Sequence, residues 1–272
     1  MESLFLTYGS SVFHYCRSRD NGKPLLVCFH GYGGSAGLFS FLEKYIAADF
    51  TMLAIDLPGH GKTIWKEHRD FSPDDLFNVL EQIMQSCHNS VDQITTMGFS
   101  LGCRLQLELP GKMDARIKKM VCCSPDGLSG MHLYRLITRT QAGRHLFKTV
   151  MDHPKLLTSA LHVVYRMKLL TRQLYSFLLL NLQTPDACAT VFERWTLMRQ
   201  FIPDLNRLKK QIREQHIRME LLYGCEDRIT PARYGVRFAR LLKDSCNCQV
   251  LDGGHFVLQE KNVETILDLL KN

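Results

Sequence analysis

The sequence predicts an α/β protein in which a mostly parallel central sheet, with helices on both faces, is interrupted by an inserted all-helical lid. Three observations carry that prediction. Short, continuously apolar runs alternate with segments of helical periodicity up to about residue 124. Between Gly127 and about Arg218 only helical patterning remains, and strands resume at Met219. The chain has 272 residues, 45% hydrophobic and 22% charged, which suits one large domain or a core with an insertion. A discontinuous core of residues 1–124 and 219–272 around a lid of residues 125–218 follows.

Residues 4–8 and 11–17 flank Gly9-Ser10 and read as an opening hairpin. Residues 24–29 and 51–55 are apolar runs, as strands of a sheet covered on both faces must be. Ser72-Pro73-Asp74-Asp75 opens a helix, with Ser72 as cap and Asp75 three residues on. Leu76, Leu80, Ile83, Met84 and Cys87 then form its buried stripe. Residues 94–99 form a third strand that runs into Ser100, and residues 117–123 a fourth that meets the turn Ser124-Pro125-Asp126-Gly127. In the insertion, Thr184-Pro185-Asp186 and Pro203-Asp204 each start a helix. Strands at 219–224 and 248–251 and a last helix on Val263, Ile266, Leu267 and Leu270 close the chain.

Ten cysteines scattered from Cys16 to Cys248, with no signal-peptide pattern at Met1-Glu2-Ser3-Leu4-Phe5-Leu6, predict free thiols in a reducing cytoplasm. Cys122-Cys123 and Cys246-Asn247-Cys248 lack partners at zinc-site spacing, and no cofactor is implied. No apolar run is long enough to span a bilayer. The formal charge is +7, unevenly spread. Asp126 to Arg218 holds 15 Lys and Arg against 6 Asp and Glu, while the whole chain holds 34 against 27. The basic middle third carries no helix-turn-helix, aromatic ribonucleoprotein motif or zinc finger, so nucleic acid is not an expected partner. Gly59-His60-Gly61-Lys62-Thr63 ends like a phosphate loop, but Asp56 stands where its first glycine belongs.

Gly98-Phe99-Ser100-Leu101-Gly102 matches the G-x-S-x-G pattern, in which a strained strand-to-helix turn presents the serine. Serine is a weak nucleophile and needs a base oriented by a third group. Downstream, Asp227 follows one strand and His255 the last, in the chain order serine, acid, histidine. Each sits where an open α/β sheet carries its sites, in a loop after a strand. Alone, Asp227 reads as a helix cap and His255 as a polar loop residue; the order of the three favours a triad. The oxyanion of an acyl-transfer reaction needs donors. The Leu101 N–H at the helix start and the Tyr32 N–H in His30-Gly31-Tyr32-Gly33-Gly34 are the candidates.

These segments, with Asp56-Leu57-Pro58-Gly59-His60-Gly61, resemble the capped serine hydrolases of the α/β-hydrolase superfamily over residues 24–124 and 219–272. The group includes carboxylesterases, pimeloyl-carrier methyl esterases, C–C bond hydrolases and the menaquinone-pathway lyase. The resemblance implies the α/β-hydrolase fold and roles for Ser100, Asp227 and His255. It favours Asp227 over Glu226, because the family's acid follows a glycine and precedes an apolar residue and a proline, here Gly224, Ile229 and Pro231. The sequence departs from many relatives at Cys103, where they have a glycine, and Pro110-Gly111 predicts a short nucleophilic helix.

The expected activity is hydrolysis of a carboxylic ester or thioester, with C–C hydrolase or lyase chemistry on the same triad as an alternative. A third possibility is a catalytically weak receptor or scaffold. Candidate substrate contacts are His30, which otherwise shapes its loop, Arg104, placed as in the lyase, and Trp195 and Met198. Leu156, Leu157, Leu161, Val163, Val164, Leu169, Leu170, Phe177 and Leu178 either pack the lid or line an acyl channel. The basic lid either is solvated surface or attracts an anionic substrate handle, such as an acidic acyl carrier protein or a coenzyme A thioester, or an anionic membrane.

Overall fold

The computed structural model describes residues 1–87, 93–113, 115–129 and 131–271; the side chains of Gln173 and Phe177 lie outside the description. Its strands are β1 (Glu2–Tyr8), β2 (Ser11–Arg17), β3 (Leu25–Phe29), β4 (Thr51–Ile55), β5 (Ile94–Phe99), β6 (Ile117–Cys123), β7 (Arg218–Gly224) and β8 (Cys246–Leu251). The first helices are α1 (Glu43–Ile46), α2 (Pro73–Gln85) and α3 (Leu101–Gln106). They are followed by α4 (His132–Arg139), α5 (Gln141–Met151), α6 (Pro154–Arg166), α7 (Arg172–Leu182) and α8 (Pro185–Leu197). The last are α9 (Leu205–Glu214), α10 (Arg233–Leu242) and α11 (Val263–Lys271).

Contacts divide the chain into two compact units. The first comprises Met1–His68, Ser72–Gly130 and Phe201–Asn272, and the second Met131–Gln200 with Arg69–Phe71. The division therefore falls inside the boundaries read at 124/125 and 218/219. Helix α9 groups with the sheet because its apolar face, Leu208 and Ile212, is buried there. Gln215, just past its end, donates to the Pro110 carbonyl at 2.7 Å.

In the first unit one eight-stranded sheet runs β1-β2-β4-β3-β5-β6-β7-β8. The hairpin β1/β2 and the β2/β4 pair are antiparallel, and every later pair is parallel. Strands β3, β4 and β5 are buried at every position, which is why their sequences carry no polar alternation. Helix α2 starts with a complete capping box between Ser72 and Asp75. Leu26, Cys28, Met52, Ala54 and Val121 from one face of the sheet join Phe39, Ile266 and Leu270 in a continuous core.

The second unit is helical, α4 to α8. Thr140, Thr171 and Thr184 cap α5, α7 and α8 by accepting from backbone N–H groups. Its interior is aromatic: the Trp195 ring lies 5.4 Å from Tyr134 and 5.5 Å from Phe147. The short Arg69–Phe71 segment is tied in by the Arg199–Asp70 ion pair and by the Phe71 N–H on the Leu197 carbonyl.

Candidate active site

Strand β5 ends in a sharp turn at Ser100, whose φ of 50° and ψ of −114° put it outside the regions that non-glycine residues favour. The turn is held because the Ser100 N–H donates to the Cys123 carbonyl and the Ser100 carbonyl accepts from Cys103 and Asp126. Gly102 makes the turn possible: a Cβ there would run into the carbonyl oxygens of Phe29 and His30 at the end of β3. Helix α3 is only Leu101–Gln106, broken before Pro110 as its sequence indicates. Cys103 is fully buried, with its thiol directed at the Cys123 carbonyl, so the departure from glycine there is absorbed by packing.

The loops after β7 and β8 bring two further side chains to Ser100. His255 Nε2 lies 3.0 Å from Ser100 Oγ, and His255 Nδ1 lies 2.8 Å from Asp227 Oδ2. Exposure is graded along this line: the Asp227 side chain is fully shielded, His255 is 10% open and Ser100 is partly open. Asp227 Oδ1 accepts the backbone N–H groups of Ile229 and Thr230, each at 2.9 Å. Burial works to raise the Asp227 pKa, but the His255 hydrogen bond and charge, with the Thr230 donors, outweigh it and hold the carboxyl below its ordinary range. The Asp227 carboxylate is thus engaged on two sides. It orders its own turn with one oxygen and faces His255 with the other. Glu226 is exposed.

Two neighbours carry no sequence signal of their own. Thr230 Oγ1 lies 2.7 Å from Asp227 Oδ2, 3.3 Å from His255 Nδ1 and 3.1 Å from the Ser124 carbonyl. Ser124 Oγ donates to the His255 carbonyl at 2.7 Å. Position three after the acid and the first residue past β6 are the only hints, and both residue types are common in turns. Tyr32 follows β3, and Leu101 is the first residue of α3, where backbone N–H groups lack intrahelical acceptors.

All four expected substrate contacts are engaged within the protein instead. His30 is fully buried: its Nδ1 pairs with the Gly31 carbonyl and its Nε2 accepts from the Leu57 N–H at 3.0 Å, so it joins the β3 and β4 loops and offers substrate no surface. Arg104 is buried and faces Asp126 at 3.6 Å. Met198 is fully buried, and Trp195, half-buried, belongs to the aromatic interior of the helical unit. The Asp56 motif is likewise structural: its carboxylate accepts from Ala36 and Lys62 N–H groups and pairs with His14 at 2.7 Å.

This sheet order, with a serine on the turn after β5, an acid after β7 and a histidine after β8, has a family. The profile of the alpha/beta hydrolase fold matches residues 24–262, and the chain belongs to that family. An uncharacterized hydrolase of Bacillus subtilis is 24% identical over 98% of this chain and 97% of its own length. A pimeloyl-[acyl-carrier protein] methyl ester esterase of Nitrosospira multiformis is 29% identical over 40% of this chain and 41% of its own. Among solved structures, a thermophilic esterase from Thermogutta terrifontis superposes with a TM-score of 0.68 at 13% identity, covering 100% of this chain and 98% of that one.

Proposed function

We propose that the protein is a serine hydrolase that cleaves a carboxylic ester or thioester through an acyl-enzyme on Ser100. One observation carries the reading: the hydrogen-bonded line Ser100 Oγ, His255, Asp227 at 3.0 and 2.8 Å, ending on a strained turn. In this scheme His255 Nε2 takes the Ser100 proton as the Oγ–carbonyl bond forms. The Tyr32 and Leu101 N–H groups stabilise the oxyanion. Protonated His255 then gives its proton to the departing alkoxide or thiolate. A water that loses its proton to the same nitrogen finally releases the acid. Asp227 stays ionised and holds the imidazole in the productive tautomer. Arg104, the residue placed as in the lyase, is buried and faces Asp126, which favours the ester or thioester reading over lyase chemistry. The ten cysteines, all free thiols, support a reducing compartment such as the cytoplasm.

Steady-state kinetics on acyl esters and thioesters of graded length test this. Turnover of at least one class, abolished by Ser100→Ala, is expected; no turnover of any by folded protein would leave a binding role instead. A carrier-linked substrate, as in the name of the pimeloyl relative, is supported by the charge of residues 126–218. Its kcat/KM should fall steeply with salt while a neutral ester hardly responds, because steering is screened within about 8 Å at physiological salt. Equal salt response would remove the carrier.

A further inference from the structure

Helix α6 (Pro154–Arg166) has no fully buried residue. Its Leu157, Leu161 and Val164 are half-buried on one side, where the Tyr165 ring also stacks on Tyr175 of α7 at 4.2 Å. On another side Leu156, Ala160, Val163 and Met167 recur at intervals of four, three and four, so they form one stripe along the helix. That stripe is open: Leu156 is 70% exposed, Val163 58% and Met167 63%. Leu156, Val163 and Leu169 thus do not line an enclosed acyl channel. Lys155 and Arg166 lie exposed beside the stripe, and Lys168 follows it. Between His153 and Pro185 there is no Asp or Glu, against Lys155, Arg166, Lys168 and Arg172.

We infer that α6 docks the protein on an anionic phospholipid surface, with its apolar stripe in the acyl boundary and Lys155 and Arg166 at the headgroups. Charge complementarity selects this occupant. An apolar strip edged by unbalanced basic residues has the form of a helix that lies in an interface, and an anionic leaflet answers both parts of it. An acidic soluble partner would answer the charge and leave the apolar strip in water. No described helix is long and apolar enough to cross a membrane, so the association is peripheral. Helix α4 of the same unit repeats the pattern, with Leu133 and Leu136 exposed beside Arg135 and Arg139. The inference rests on α6 alone and is independent of the chemistry at Ser100.

Flotation of the full chain with phosphatidylcholine vesicles, and with vesicles that also contain phosphatidylglycerol, tests it. Binding only to the anionic vesicles, weakened by salt, is expected. Val163→Asp with Met167→Asp should lower that binding by at least about tenfold, since both the stripe and the charge sum are spoiled. Lys155→Glu with Arg166→Glu should do so to a similar extent, roughly tenfold or more. Unchanged circular dichroism and unchanged turnover of a soluble ester keep misfolding out of the result. No binding to anionic vesicles overturns the inference. So does binding that survives Val163→Asp with Met167→Asp, or capture of an acidic carrier protein, lost in the basic variants, without any vesicle binding.

Discussion

Asp227 and Glu226 are adjacent carboxylates, and their surroundings separate them. Asp227 is shielded and bonded through both oxygens, whereas Glu226 is exposed. Asp227→Asn should keep the fold and lower turnover by about 10⁴, because an amide facing Nδ1 disturbs the imidazole tautomer. Glu226→Gln should leave kcat nearly unchanged, and reversed effects would transfer the role to Glu226. The lowered Asp227 pKa adds a linkage test. A carboxyl whose native pKa lies below its unfolded value, about 3.9, contributes stability above that value and loses it as pH falls through the native pKa. The gap in urea midpoint between wild type and Asp227→Asn should therefore be open near neutrality and close in acid. A gap that widens in acid would contradict the assignment. Thr230, within hydrogen-bond reach of both Asp227 and His255, is expected to act as a positioning residue for the pair. Thr230→Val should reduce kcat roughly two- to tenfold, the worth of one hydrogen bond, with KM little changed. A change confined to KM would instead place Thr230 against substrate. Nothing in the sequence singles Thr230 out, since threonine before proline in a turn is common. The same limit applies to Arg104 and Met198, whose residue types suggest contacts but do not reveal what covers them.

At the scale of elements, legibility follows burial. Strand β4 stands in the sequence at its observed bounds because a continuous apolar run occurs only where both faces of a sheet are covered, whereas β5 and β6 keep theirs despite Thr95-Thr96 and Lys118-Lys119, with Lys118 exposed. Helix α2 is legible through its capping box and α3 through the proline that ends it. Helix α10 is not: it begins after Ala232, which supplies no side-chain cap. Helix α9 was legible as a helix but not as part of the sheet-bearing unit, because an amphipathic stripe states that a face is buried and not against what. The junction of β5 and α3 yields a sharp prediction. Gly102→Ala should destabilise by on the order of 3 kcal/mol or more, because the obstacles are backbone carbonyls that cannot swing aside. Gly37→Ala, whose added methyl would meet only Ser35 Oγ at 3.5 Å, should shift the melting temperature little. Equal shifts in the two variants would mean that the β3 and α3 backbones separate more easily than their packing implies.

For the molecule as a whole, the sheet order turns three residues spread over more than half of the chain into one hydrogen-bonded line. Parallel strands β5, β7 and β8 all release their chains at the same edge, so the loops that follow them converge. The chain order serine, acid, histidine is legible in the sequence because each residue follows a parallel strand. This line is expected to make Ser100 a nucleophile. Intact-mass spectrometry after reaction with a fluorophosphonate probe measures it most directly. One adduct per chain, mapped to Ser100, absent in Ser100→Ala and strongly slowed in His255→Ala, is the predicted result. Folded wild-type protein that stays unlabelled, or labelling that persists in Ser100→Ala, would contradict it.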